Sequence, residues 1–288
     1  EAYHQSVILG PGMNIHRDPM GGRSFEYYTE DPFLNGKMAA AFTKGVQSHE
    51  GCMVALKHFA CNSQETDRGF SSSNLSERAL REIYLKGFEI VVKEANPGTI
   101  MTSYNKVNGV HSSENRELLE DIVRGEWGFQ GMFMTDWHSE SYKPADIHAG
   151  NDIIMGGIQV EAIEEALEGW EPEFETDGSV KQRTVISYDG IKQDIVEEWG
   201  SFLPCAEGAN ICRTTVPAGT EVGEEVQKYI DSGVASVREN PDGSKEISYK
   251  GIRRGRHLAL GDLQRSAMHV LRYLLKSSAW KEMKKNMK

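Results

Sequence analysis

Long apolar runs, paired cysteines, a phosphate-binding glycine loop and any surplus of basic charge are all missing from this sequence of 288 residues. Its longest apolar stretches run only a few residues, far short of the roughly 20 that a membrane helix needs, so no membrane partner is expected. Lys and Arg total 32 against 43 Asp and Glu, a net charge of −11, and no basic block interrupts that balance. A nucleic-acid partner is therefore not expected either. The terminal KEMKKNMK is basic but short and reads as a frayed, solvated helix end. The four cysteines, Cys52, Cys61, Cys205 and Cys212, form no CxxC pair, which argues against a structural zinc site or a thioredoxin-type motif. Scattered thiols fit a reducing compartment, with Cys52 and Cys61 as small core residues flanking an apolar strand. No signal peptide opens the sequence, so a cytoplasmic location is expected, although the chain starts at Glu1 without a Met and its true start can lie upstream. His16, His49, His111 and His148 lack metal-ligand spacing and read as structural or surface residues; no metal or cofactor is expected.

What is present is a soluble composition, 39% apolar with a mean hydropathy of −0.51, and a strong alternation of strand and helix signals. Ser6–Leu9, Met53–His58, Thr99–Ser103, Gly131–Thr135 and Asp152–Met155 read as short apolar strands. Between them, 32–46, 76–94 and 114–126 read as helices, and an Ala/Glu-rich helix follows over 160–167. Asp31 is placed to cap the first helix with Pro32 at its first position, and Ser76 to cap the second. Continuous apolar strands separated by helices predict a parallel sheet covered on both faces. Unusual polar residues recur at strand ends: Arg23, Lys57 with His58, Tyr104 and Asp136. In a β/α barrel such positions gather at the rim where active sites are built. A doubly wound sheet also collects strand ends in a crevice, but it usually carries the Gly-rich phosphate loop that is missing here.

The character changes after Glu171. TDGSVKQRTVISYDGIKQ and NPDGSKEISYKGI carry Asp-Gly turns between alternating segments, the pattern of β-hairpins, with a helix expected over 221–231. A final helix is expected over 261–277, with Leu263, Ala267, Val270, Leu271 and Leu274 on one face. The predicted organisation is 1–170 as a partial barrel, 171–255 as a β-rich insertion or appendage, and 256–288 as a helix returning to the barrel.

Five ordered stretches, LGPGMNIHRDPMGGRSFEYYTEDP, LKHFACNSQETDR, SERALREIYLKGFE, MTSYNKVNG and WGFQGMFMTDWH, with AGNDIIMGG after them, resemble the catalytic barrel of glycoside hydrolase family 3, above all its β-glucosidases. The resemblance implies a (β/α)8 TIM-type barrel and makes Asp136 the nucleophile. A carboxylate at the mouth of a buried strand can attack an anomeric carbon and form a glycosyl ester. It places Arg23, Lys57, His58, Arg68 and Tyr104 around the non-reducing-end sugar, where charged donors make hydrogen bonds roughly twice as strong as neutral ones. Trp137 is either an apolar platform for a sugar face or a core residue. Lys57 and His58 are adjacent, and a regular strand would send them to opposite faces, so both reach one sugar only if the strand end curls.

Two departures from the family pattern shape the expectation. Only about five of eight barrel strands are legible, so the barrel looks incomplete at its N-terminal side. The acid/base Glu of these glucosidases belongs to a second domain, and no counterpart is identified in this chain. The closing LALGDLQRSAMHVLRYLLKS resembles the end of family members that place that domain before the barrel, as in the carboxy-terminal part of a larger enzyme. The function expected is retaining hydrolysis of β-linked glucose from the ends of oligosaccharides or aryl glucosides, with the chain alone expected to be inactive. The alternatives are a β-xylosidase or broad-specificity β-glycosidase, and a non-catalytic carbohydrate-binding remnant. The sequence leaves the oligomeric state open.

Overall fold

A computed structural model describes residues 5–156, 160–168, 174–179, 183–186, 192–195, 211–233, 235–250 and 258–286. The chain divides into two compact units, Glu1–Gly157 with Leu260–Lys288, and Ile158–Ala259. The first is built on four parallel strands lying side by side in chain order: β1 (Val7–Ile8), β2 (Met53–Phe59), β3 (Thr99–Thr102) and β4 (Met132–Met134). Helix α1 (Pro32–Gln47) links β1 to β2, and α2 (Lys86–Ala95) ends the crossover from β2 to β3.

Local chemistry fixes these helix ends. Asp31 Oδ1 accepts from the backbone N–H groups of Phe33 and Leu34, each at 2.8 Å, and Pro32 occupies the first turn, where a missing N–H costs nothing. Gly36 and Gly87 let α1 and α2 approach closely; a Cβ at Gly36 would lie 2.9 Å from the Ile90 side chain. The helix expected over 76–94 is capped by Ser76 but divided into Glu77–Ala79, a π-helical stretch Leu80–Tyr84, and α2. The helix expected from Glu114 begins later, over Glu117–Glu126. Asn115, not Glu114, supplies the capping oxygen, accepting from Leu118 N at 3.1 Å.

Alternation along the strands separates two faces. Val54, Leu56, Ile100 and Phe133 turn toward the helices, where Phe59 meets Phe88 and Trp127 edge-on at 5.1 and 6.2 Å between ring centres. Ala55, Met101 and Met134 form a smaller apolar layer on the other face with Val7, Ile153 and Met155. The expected fifth strand, 152–155, is reduced to a single parallel bridge from Ile153 to Met134. Asp152 ends the ladder: its carboxylate accepts from Phe133 N at 2.9 Å and Arg124 Nη2 at 3.0 Å, and meets His269 Nδ1 at 2.8 Å.

After β4 the chain turns through a tight loop into α3 (Lys143–Ala149). Helix α4 (Leu260–Lys276) docks on this unit through its polar side. Asp262 pairs with His148 at 3.0 Å, Arg265 donates to Ile147 O at 2.7 Å, and Ser266 donates to Asn151 O at 3.1 Å. Leu271 and Leu274, on the apolar face legible in the sequence, are exposed, as are Met268 and Leu275. The terminal basic segment, expected to fray, continues as a helix over Ser278–Asn286.

The second unit contains an antiparallel sheet in which Lys245–Lys250 lies between Ile211–Val216 and Ala235–Glu239. Helix Glu224–Asp231 helps close a small core of Val216, Val226, Ala235 and Ile247. Two Asp-Gly-Ser turns share one construction, with Asp177 and Asp242 each accepting from the N–H and Oγ of the serine two residues on. Arg183–Ile186 and Lys192–Ile195 also pair antiparallel; the turn expected at Asp189–Gly190, and Cys205, lie outside the described residues.

Candidate active site

Every residue singled out at a strand end belongs to one rim of the parallel sheet. Lys57 and His58 close β2, Tyr104 follows β3 and Asp136 follows β4, while Arg23 and Arg68 sit on the loops after β1 and β2. The curl needed at Lys57–His58 is present. Pairing between β2 and β3 shifts register between Leu56 and Phe59. The buried backbone that leaves the ladder finds side-chain partners instead. Asn14 accepts from His58 N and donates to His58 O, both at 2.8 Å. Ser112 accepts from Ala60 N at 2.8 Å, and Ser103 Oγ donates to Ala60 O at 2.8 Å.

Asp136 is 8% exposed. Its Oδ1 accepts from Trp137 N at 2.8 Å, while Oδ2 accepts no hydrogen bond among the described residues and lies 3.6 Å from His58 Nε2. Burial raises the Asp136 carboxyl above the usual aspartate range. The Trp137 N–H, the neighbouring Tyr104 hydroxyl, and the positive charges of Arg23 and Arg68 pull it back. Burial and the Asp136 charge push the Tyr104 phenol up to about 12, so it stays a donor.

His58 is 1% exposed, and burial, reinforced by Arg23, Lys57 and Arg68, lowers its pKa to about 2. A neutral imidazole has one N–H, and its neighbours choose which nitrogen carries it. Tyr27 Oη lies 3.1 Å from His58 Nδ1 and accepts from Asn62 Nδ2 at 3.4 Å. With Asn62 donating to it, the Tyr27 hydroxyl is placed to give its own proton to Nδ1, and we assign the imidazole proton to Nε2, on the side of Asp136.

The cations are held by carboxylates that sequence reasoning did not single out. Glu26 pairs with Arg23 and lies 3.5 Å from Lys57 Nζ, tying two of the basic side chains together. Glu65 pairs with Arg68, and the Arg68 guanidinium stacks 4.2 Å from the Tyr104 ring centre. Both Arg–Glu pairs are three residues apart in the chain, a spacing visible in the sequence. Tyr27, Asn14 and Asn62 carry no such signal. Trp137 is 41% exposed, open to solvent beside the carboxylate. A cavity of about 290 Å³ lies apart from this cluster, between the starts of β2 and β4 at Met53 and Met132 and the α4 side chains His269 and Tyr273.

Residues 3–169 match the model of the glycosyl hydrolase family 3 N terminal domain. The exo-α-(1→6)-L-arabinopyranosidase of Bifidobacterium longum is 53% identical over 150 residues, covering 52% of this chain and 20% of that protein. β-Glucosidase A of Butyrivibrio fibrisolvens is 52% identical over 162 residues, 56% of this chain and 19% of that protein. β-Glucosidase 3B from Thermotoga neapolitana, solved in complex with α-D-glucose, superposes with a TM-score of 0.61 at 32% identity, over 96% of this chain and 28% of the other. The chain thus spans about a fifth of the length of the curated relatives it matches.

Proposed function

The chain belongs to glycosyl hydrolase family 3, and from that premise we propose that it carries the nucleophile half of a retaining exo-glycosidase site that releases β-linked glucose. The parallel sheet is then a sector of a (β/α)8 barrel, with the rim described above facing the substrate. One observation carries the reading: Asp136 is a buried carboxylate with one oxygen held and the other unbonded, in a ring of three cations and a neutral histidine.

In this mechanism Oδ2 of Asp136 attacks the anomeric carbon while the bond to the leaving oxygen breaks. That oxygen takes its proton from a general acid. Water then cleaves the glycosyl ester, restoring the carboxylate and the original configuration. The Trp137 N–H fixes Oδ1, so the attacking oxygen needs no reorientation. His58 Nε2–H, Lys57, Arg23 and Arg68 are donors for sugar hydroxyls, and Trp137 offers its face to the ring. Glu26 and Glu65, committed to their cations, are poorly placed to act as the acid. We assign no described residue of this chain as the proton donor; the family resemblance implies a Glu from a second domain.

A 2-deoxy-2-fluoro-β-glucoside with a dinitrophenol leaving group tests the reading, because that leaving group needs no protonation. The expected result is a covalent adduct on the peptide holding Asp136, lost in Asp136→Asn. An adduct on another carboxylate overturns the assignment. Chromogenic β-glucoside, β-xyloside and α-L-arabinopyranoside then separate the enzyme readings, and sugar binding without any adduct or turnover identifies a remnant.

A further inference from the structure

The loop that carries Asp136 closes around a buried ammonium. Lys143, at the start of α3, is 2% exposed. All of its donor capacity is directed at the preceding loop, to Ser139 O at 2.6 Å, Ser139 Oγ at 2.9 Å and Ser141 Oγ at 3.3 Å. Asp146, one turn further along the helix, stands 3.6 Å from Nζ and accepts from Ser141 Oγ at 2.7 Å. Glu114 accepts from Tyr142 N at 2.6 Å, pinning the far end of the same loop.

Two features connect this cage to the reacting carboxylate. Only Trp137 and His138 separate Asp136 from Ser139, and His138 sits in the left-handed region at φ 50°. A non-glycine residue persists there only where its surroundings dictate it. Lys106 and His111 face the cluster from a neighbouring hairpin, and His111 Nδ1 lies 3.1 Å from Tyr104 O, beside the second residue that bears on Asp136. A buried lysine is costly unless paired and hydrogen-bonded, and here every partner belongs to the loop or the helix that ends it.

We propose that Lys143 is the positioning residue that holds the Asp136–Trp137 loop in its reacting geometry, an inference that rests on the glycosidase reading above. It touches no substrate; it acts by fixing Ser139 and Ser141, and through them the path of the chain from Asp136.

Lys143→Met alone leaves Asp146 buried without its cation, so the test uses K143M/D146N, which removes both charges. Deuterium exchange in the peptide spanning 136–142 is expected to accelerate by roughly tenfold or more, with the peptides of β2 and β3 unchanged. The maximal rate of Asp136 labelling by the dinitrophenyl fluoroglucoside should fall by roughly tenfold or more at a half-saturating concentration within about threefold of wild type. Unchanged exchange in 136–142, or faster exchange with undiminished labelling, overturns the proposal. A wild-type chain that takes no label refutes the glycosidase reading alone, and the exchange measurement still decides whether Lys143 sets the loop.

Discussion

Tyr27→Phe removes one hydroxyl from the site and should be felt through His58. In the native arrangement the Tyr27 proton satisfies His58 Nδ1 at 3.1 Å, and Asn14 takes the backbone groups of the same residue. Without the hydroxyl, Nδ1 of an imidazole that is 1% exposed loses its Tyr27 partner at 3.1 Å. Asn62 keeps its second partner, Glu65 Oε1 at 3.1 Å, so the loss concentrates on the histidine. Leaving one buried acceptor unsatisfied costs about 1–3 kcal/mol, and this is the destabilisation expected in denaturant unfolding at neutral pH. Tyr28→Phe is the control: its hydroxyl makes no hydrogen bond among the described residues, and its removal should change stability by less than about 0.5 kcal/mol. Nitrogen NMR of the wild type should show the His58 proton on Nε2, and Tyr27→Phe should shift population toward the Nδ1–H form. A wild-type proton on Nδ1, or a Tyr27→Phe protein as stable as the Tyr28 control, would refute the reasoning.

Three further outcomes are expected. Burial and the adjacent Asp146 raise the Glu114 pKa to about 8 from an ordinary value of 4.5, so the folded protein keeps a proton that the unfolded chain releases. Its stabilising contribution is complete below about pH 4.5 and is lost as pH rises through 8; Glu114→Gln should match wild type in acid and exceed it by on the order of a few kcal/mol at pH 8.5, checked by urea unfolding across pH. Alanine at Lys57 or Arg68 should each cost about 1.5–3 kcal/mol of transition-state binding, read as the second-order rate of Asp136 labelling by the dinitrophenyl fluoroglucoside, and shrinking on a deoxy analogue that lacks the partner hydroxyl; equal losses on every analogue with a lowered Tm would point to structure instead. Phe59→Ala, in the middle of the Phe88–Trp127–Phe133 cluster, should destabilise by about 3–5 kcal/mol in calorimetry, and a loss under about 1 kcal/mol would mean that the cluster is not the core of its unit.

Much of the strand and helix order was legible because local chemistry decides it. Asp31 and Pro32 start α1 where a side-chain oxygen and a missing N–H suit a helix end, and the Asp242–Gly243–Ser244 turn closes the hairpin its composition announces. The rim positions were legible because polar residues at the ends of apolar strands break an otherwise simple pattern. What was illegible depends on partners distant in sequence. Periodicity finds the apolar stripe of α4 but does not say that Asp262, Ser266 and His269 would meet better partners on the opposite side. Asp152 looks like part of a fifth strand until Arg124 and His269 are seen to claim its carboxylate. Tyr27 and Lys143 resemble ordinary surface residues in one dimension; only the fold shows one setting a tautomer and the other filling a buried cage.

The polar docking of α4 also has a kinetic consequence. Its bonds to Ile147, His148, Asn151 and Asp152 join residues 114 to 118 positions apart, with the whole second unit threaded between them. Closing so long a loop is slow, yet its entropy grows only logarithmically, by about 0.6 kcal/mol for each doubling of length. During synthesis, therefore, the residues that receive α4 are made well before their partners at 262–269, and their polar groups must wait for them. The second unit can lengthen or shorten over evolutionary time with little thermodynamic penalty, so long as both attachment points hold.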